Sequence, residues 1–180
     1  LQAGRELVVR AVFTGNPILF DNAIAVEPED EAGFDRLGCA GRGVITTATY
    51  EARALGAHSG MGVMKAAALA PDAVLLPIDF EEYRKYSRLF KAAVRQVAPL
   101  VEDRGIDEIY IDLTDVDVAG APSPDEDPWM RARRVARALK RVVHVATGLT
   151  CSIAVAPNKL LSKIASELDK PDGLTILRPE

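Results

Sequence analysis

Asp107 and Glu108 stand side by side just ahead of an alternating apolar segment. Adjacent carboxylates repel, so a proton or a cation is favoured between them unless donors offset the charge. Hard oxygen ligands of this kind suit Mg²⁺. Two such ions about 4 Å apart can activate a hydroxyl nucleophile and stabilise a leaving pyrophosphate. Geometry sets a condition on this. Successive side chains of a regular strand point to opposite faces. Both acids reach one site only where the strand opens with a twist or bulge, which Gly105 would permit. Otherwise they are two solvated acids at a strand edge.

Thr47, Tyr50 and Arg53 recur at intervals of three and can share one face of a helical turn. A hydroxyl, a phenol and a guanidinium converging there could hold a triphosphate. The same residues also read as a helix cap at Thr47, a half-buried ring and a surface cation. Lys159 and Lys163 lie one helical turn apart, and Lys170 opens the turn Lys170-Pro171-Asp172-Gly173. An ammonium in such a turn can face a phosphate or simply water. Arg134, Arg137 and Arg141 fall in a run from Arg131 to Arg141 that contains no acid. That run is either a contact for a DNA backbone or a solvated face. His58 and His144 have no partner at metal-ligand spacing. Neither a Walker-type glycine loop nor a serine nucleophile elbow occurs.

These side chains depend on elements whose periodicity is readable. Ile24–Val26, Val44–Thr47 and Ala73–Leu76 read as short strands, and 50–55 and 63–69 as short helices. From Phe80, the apolar residues Tyr83, Phe90, Val94, Val97 and Val101 form one helical stripe. Ile109, Ile111 and Leu113 alternate with polar residues as a half-buried strand. A second helix runs from Trp129 to Ala146, with Trp129, Ala132, Val135, Leu139, Val142 and Ala146 inward. Residues 150–156 alternate again, Pro157-Asn158 starts a third helix through Leu168, and 174–177 form a last strand. Leu7, Val8 and Val9 give only a weak strand signal. Asn16-Pro17 reads as a turn, and 27–43 as an acidic exposed loop. Helix and strand alternate from Leu76 onward, which suits an α+β lobe whose sheet carries helices on one face, preceded by a smaller mixed lobe. The sheet takes that form if Ala73–Leu76 joins it.

The chain of 180 residues is 48% apolar and 27% charged, with a net charge of −4. It fits one domain with a smaller lobe and lacks the basic excess of a general nucleic-acid binder. No apolar stretch is long enough to span a membrane, and the first residues lack a signal-peptide pattern. Cys39 and Cys151 lie far apart in sequence and read either as a disulfide pair or, in an intracellular chain, as two free thiols, the preferred reading; the chain is expected to be a cytoplasmic monomer.

Three segments resemble the motifs of Y-family (translesion) DNA polymerases of the polymerase IV type. They are GVITTATYEARALGAHSGMG from Gly43, EDRGIDEIYIDLTD from Glu102 and CSIAVAPNKLLSKIASELDKPDG from Cys151. They occur in the family's order and spacing, and the likeness runs from about Asn16 to the C-terminus. It implies a ferredoxin-like palm sheet at 76–180 and a small mixed fingers lobe at 1–75, without the thumb and little-finger domains. It implies Mg²⁺ at Asp107 and Glu108, and triphosphate contacts from Thr47, Tyr50, Arg53 and Lys170. Ala48 and the glycines near Gly60 would form a roomy lid over the nascent base pair. The partners implied are primer-template DNA and dNTP, with a sliding clamp for the full-length family.

One departure accompanies the resemblance. The family opens with an Asp-x-Asp strand and an aromatic pair. Counting back from Asn16-Pro17 puts these on Ala3-Gly4-Arg5 and Leu7-Val8, where no acid and no aromatic occurs. The two-metal site is then incomplete, and the chain reads as an impaired polymerase. A non-catalytic, polymerase-like DNA-binding or accessory protein is the alternative, and another palm-type nucleotidyl transferase or cyclase is a third reading. Whether residues 6–12 fill the strand slot beside Asp107 separates an intact sheet from a gapped one.

Overall fold

The computed structural model of the chain describes residues 8–13, 23–27, 43–116 and 126–179. Ala3–Arg5, Leu7, the Asn16-Pro17 turn, Asp21, Cys39 and most of the acidic stretch before Gly43 lie outside these.

Eight strands and five helices are described: β1 (Val8–Phe13), β2 (Ala23–Glu27), β3 (Val44–Ala48), α1 (Tyr50–Ala54), α2 (Val63–Leu69), β4 (Val74–Pro77), α3 (Phe80–Val97), β5 (Val101–Asp103), β6 (Glu108–Asp112), α4 (Pro128–Thr147), β7 (Cys151–Ala156), α5 (Lys159–Ala165) and β8 (Leu174–Ile176). The chain divides into two units. One comprises Asn16–Phe80. The other joins β1 to Glu81–Glu180, so the first strand belongs with the residues that come last.

The larger unit holds a five-stranded sheet ordered β5-β6-β1-β7-β8. Its strand slot beside β6 is filled. β1 pairs antiparallel with both β6 and β7, with Val12 opposite Glu108 and Val8 opposite Asp112. The sequence β1-α3-β5-β6-α4-β7 is the β-α-β-β-α-β order of a ferredoxin-like fold, and the α+β class expected from the sequence is present. Phe90 and Val94 of α3 and Val135, Leu139 and Val143 of α4 pack with Ile109, Ile111, Ile153 and Val155 in one core. Each such side chain contributes roughly 1.5–3 kcal/mol by leaving water. The helices are terminated by local chemistry. Asp127 caps α4, Pro128 opens it and Gly148, with φ 73°, closes it.

The smaller unit holds a three-stranded sheet ordered β3-β2-β4. Ile45, Ala48, Ala52, Ala57, Met61, Val63, Ala66 and Ala70 form its core.

The structure corrects four local readings. β4 does not join the larger sheet; it pairs parallel with β2 in the smaller one. Val101 does not extend α3. Pro99 lacks the amide that a helix interior needs, and Val101 starts β5. Residues of β7 do not alternate in burial; all six are buried. Ser152, Ala154 and Ala156 are small, and α5 lies against β7 and β1. Near the end of α4, Ala146 is exposed and Val143 takes the inward position instead.

Candidate active site

β6 positions the acid pair. Ile109 and Ile111 are fully buried toward α3 and α4, so the alternate residues Glu108, Tyr110 and Asp112 share the other, half-buried face. Asp107 precedes the strand in a bend and is exposed. The turn that delivers it contains Gly105 at φ 147°, a backbone conformation reserved for glycine. The acids therefore do not lie within one regular strand, which relaxes the objection that alternation raises.

A lysine from α3 fixes that turn. Lys91 Nζ donates to Asp103 Oδ1 at 2.9 Å and to the Gly105 carbonyl at 2.5 Å. The Lys91 ammonium and the Gly105 amide hold the Asp103 carboxyl below its ordinary pKa. Sequence reasoning passed over Lys91. The signal was its place between Ser87, Phe90 and Val94 on the buried stripe of α3, where a lysine needs a partner.

A second lysine crosses the sheet. Lys159, at the start of α5, forms an ion pair with Glu102 on β5. Its ammonium sits 5.7 Å from the Tyr110 ring centroid. Glu102 and Tyr110 are register partners, so Lys159 reaches the face that also carries Glu108. The Lys159 hydrogen bond lowers the Glu102 pKa. Lys163, one turn on, is exposed.

In the smaller unit the structure does bring Thr47, Tyr50 and Arg53 together. Arg53 Nε donates to the Ala48 carbonyl at 2.9 Å and Nη2 to Thr47 Oγ1 at 3.4 Å. Its guanidinium carbon lies 5.9 Å from the Tyr50 ring centroid. Thr47 is not the helix cap. It lies within β3, and Thr49 caps α1 by accepting from the Ala52 amide at 3.4 Å.

Lys170 is half-buried, and its ammonium pairs with Glu167 at 2.8 Å. The turn it opens is held from α4. Lys140 Nζ donates to the Cys151 and Asp172 carbonyls at 2.6 and 2.7 Å and to Asp172 Oδ1 at 2.5 Å. Of the basic run on α4, Arg134 is paired with Glu126 at 2.9 Å, while Arg137 and Arg141 are exposed. No helix among the described residues is long and apolar enough to cross a membrane.

Residues 8–167 match the impB/mucB/samB family model. The chain belongs to this family, that of the Y-family DNA polymerases. It is 45% identical over 148 residues to DNA polymerase IV of Methanoculleus marisnigri, covering 82% of this chain and 38% of that one. It is 45% identical over 140 residues to DNA polymerase IV of Alkalilimnicola ehrlichii, covering 78% and 37%. Among solved structures it resembles the insertion ternary complex of Dbh DNA polymerase, with TM-score 0.78 and 28% identity, over 96% of this chain and 49% of that one. DinB from Sulfolobus solfataricus gives TM-score 0.77 and 27% identity, over 96% and 48%. The chain thus spans less than half the length of these family members.

Proposed function

We propose that this chain is the nucleotide-receiving part of a translesion DNA-directed DNA polymerase, with Asn16–Phe80 as its fingers and the larger sheet as its palm. One observation carries the reading. Asp107 and Glu108 lead into β6, the neighbour of the central strand, in a fold similar to that of the solved Dbh DNA polymerase. The reaction is attack of a primer 3′-hydroxyl on the α-phosphate of a dNTP, with pyrophosphate leaving. Arg53, with Tyr50 and Thr47 beside it, would hold triphosphate oxygens, since a guanidinium offers paired donors to phosphate. Lys170 would add a point charge by exchanging Glu167 for phosphate. Arg137 and Arg141, and Arg134 where Glu126 releases it, would touch the DNA backbone weakly. The monomer would act in the cytoplasm, and a sliding clamp would be met by other parts of the full-length protein.

The carboxylates of Asp107 and Glu108 suit Mg²⁺ in kind. Among the described residues they are not joined by a third acidic, histidine or cysteine residue in a metal-holding group. The residue across from Glu108 is Val12. When bound, Mg²⁺ would supply charge stabilisation at the transferring phosphate. That apolar neighbour is what favours a second reading, a polymerase-like DNA-binding protein with little catalysis of its own. Single-nucleotide primer extension with excess chain and Mg²⁺ separates the two. Slow, templated addition abolished by Glu108→Gln supports the polymerase. Binding of primer-template with no Glu108-dependent addition supports the accessory protein.

A further inference from the structure

We infer that Lys140, though part of the basic run on α4, is a positioning residue that holds the Lys170 turn in shape for nucleotide binding. The inference rests on the nucleotide role given to Lys170 above. An ammonium has three donors, and three short contacts consume them: Cys151 O at 2.6 Å, Asp172 O at 2.7 Å and Asp172 Oδ1 at 2.5 Å. The Gly173 carbonyl lies a little further off at 3.3 Å. Lys140 therefore has nothing left for a phosphate, unlike Arg137 and Arg141 on the same helix. Its side chain is only 19% exposed, which strengthens each charge-assisted contact.

The turn needs such a tie. Asp172 adopts φ 60°, a left-handed conformation that costs a non-glycine residue free energy even where, as with aspartate, it is better tolerated than by most. Gly173 is crowded against Asp169, whose carbonyl oxygen lies 2.2 Å from where a Cβ would stand. Beyond Lys140, the turn is fastened to β7 by two bonds. The Gly173 amide donates to Ser152 Oγ at 3.2 Å, and the Ile153 amide donates to the Gly173 carbonyl at 3.0 Å. Lys140 joins three elements at one atom: α4, the carbonyl edge of β7 at Cys151, and the turn. Lys170 sits two residues before Asp172 in that turn. Loss of the Lys140 tie frees Asp172 to leave its left-handed conformation and lets Lys170 sample positions away from its site.

The test is a double-mutant cycle on the whole chain, read as the affinity for dATP with Mg²⁺. Lys170→Ala should weaken binding about tenfold, the loss of one charge-assisted contact. Lys140→Met should weaken it by a similar factor, and Lys140→Arg should recover part of the loss. In the Lys170→Ala background, Lys140→Met should add nothing, because it acts only through Lys170. Amide exchange from Asp172 to Leu174 should accelerate in Lys140→Met while exchange in α3 stays unchanged. Exchange at the turn that stays slow in Lys140→Met overturns the inference alone. A full additional loss of affinity in the double variant also overturns it, by showing that Lys140 touches nucleotide itself. Unchanged affinity in Lys170→Ala overturns the nucleotide role of the turn and, with it, the functional half of the inference.

Discussion

Val12 stands directly across the sheet from Glu108 in antiparallel register. The spacing of the resembling motifs puts the family's first acids on Ala3 to Arg5, whereas the sheet brings Val12 beside the strand that Asp107 and Glu108 open. A carboxylate introduced at Val12 is therefore expected to raise Mg²⁺ affinity and single-nucleotide addition. Mg²⁺ titration and primer extension of Val12→Asp check this, and no gain in either would contradict the register.

Arg53 is joined to Thr47, Ala48 and Tyr50, yet it lies at the surface, where substitutions usually change stability by less than about 0.5 kcal/mol. Arg53→Ala should leave the melting temperature nearly unchanged and weaken dATP binding about tenfold. Arg53→Lys should not restore binding, because an ammonium lacks the paired donors of a guanidinium. Calorimetric melting and dATP titration of both variants test this.

Two carboxyls set an acid limit on the larger unit. Glu102 is lowered from an ordinary 4.5, chiefly by Lys159, and Asp103 from an ordinary 3.8, chiefly by Lys91. A depressed carboxyl stabilises the fold above its unfolded value and loses that contribution as pH falls through the folded one. Stability should therefore be flat near neutrality and decline below those ordinary values. Lys91→Met should flatten that acid decline through loss of the Asp103 contribution, and should lower stability at neutral pH. Urea midpoints measured from acid to neutral pH report both effects.

Cys151 is buried, and burial pushes its thiol up to about 12. Thiolate is the reactive form, so Cys151 should resist iodoacetamide at pH 8 in the native chain and react once the chain is unfolded in urea. Peptide mapping after alkylation reads this site by itself. Prompt native labelling of Cys151 would show that β7 opens readily.

Gly173→Ala should destabilise the chain by about 2 kcal/mol or more, since the new Cβ would lie 2.2 Å from the Asp169 carbonyl oxygen. Chemical denaturation measures it. A loss below about 0.5 kcal/mol would mean that the turn relaxes freely.

Long amphipathic elements were legible from the sequence. The stripes of α3 and α4 follow from apolar spacing, and β6 from the alternation of Ile109 and Ile111 with polar neighbours. What stayed hidden depended on partners far away in the chain. β1 carries a weak strand signal because its pairing comes from β6 and β7, about 100 and about 140 residues on. β4 reads as a strand but not as a member of one sheet or the other. β7 looked half-buried because Ser152 and Ala154 are polar or small, and smallness is what lets α5 approach. At the candidate site, the acid pair and the Thr47, Tyr50 and Arg53 group were visible as residue types at short spacing. Lys91 was not, nor were the partners of Lys140 and Lys159, because a lysine's partner cannot be read from its own neighbours.

Asp107 and Glu108 should together hold Mg²⁺ with a nucleotide. Isothermal titration of dATP into the chain, with and without Mg²⁺, tests this against Asp107→Asn/Glu108→Gln. Mg²⁺ should tighten dATP binding to the unmodified chain and have no such effect in the double variant. An equal Mg²⁺ effect in both would contradict it.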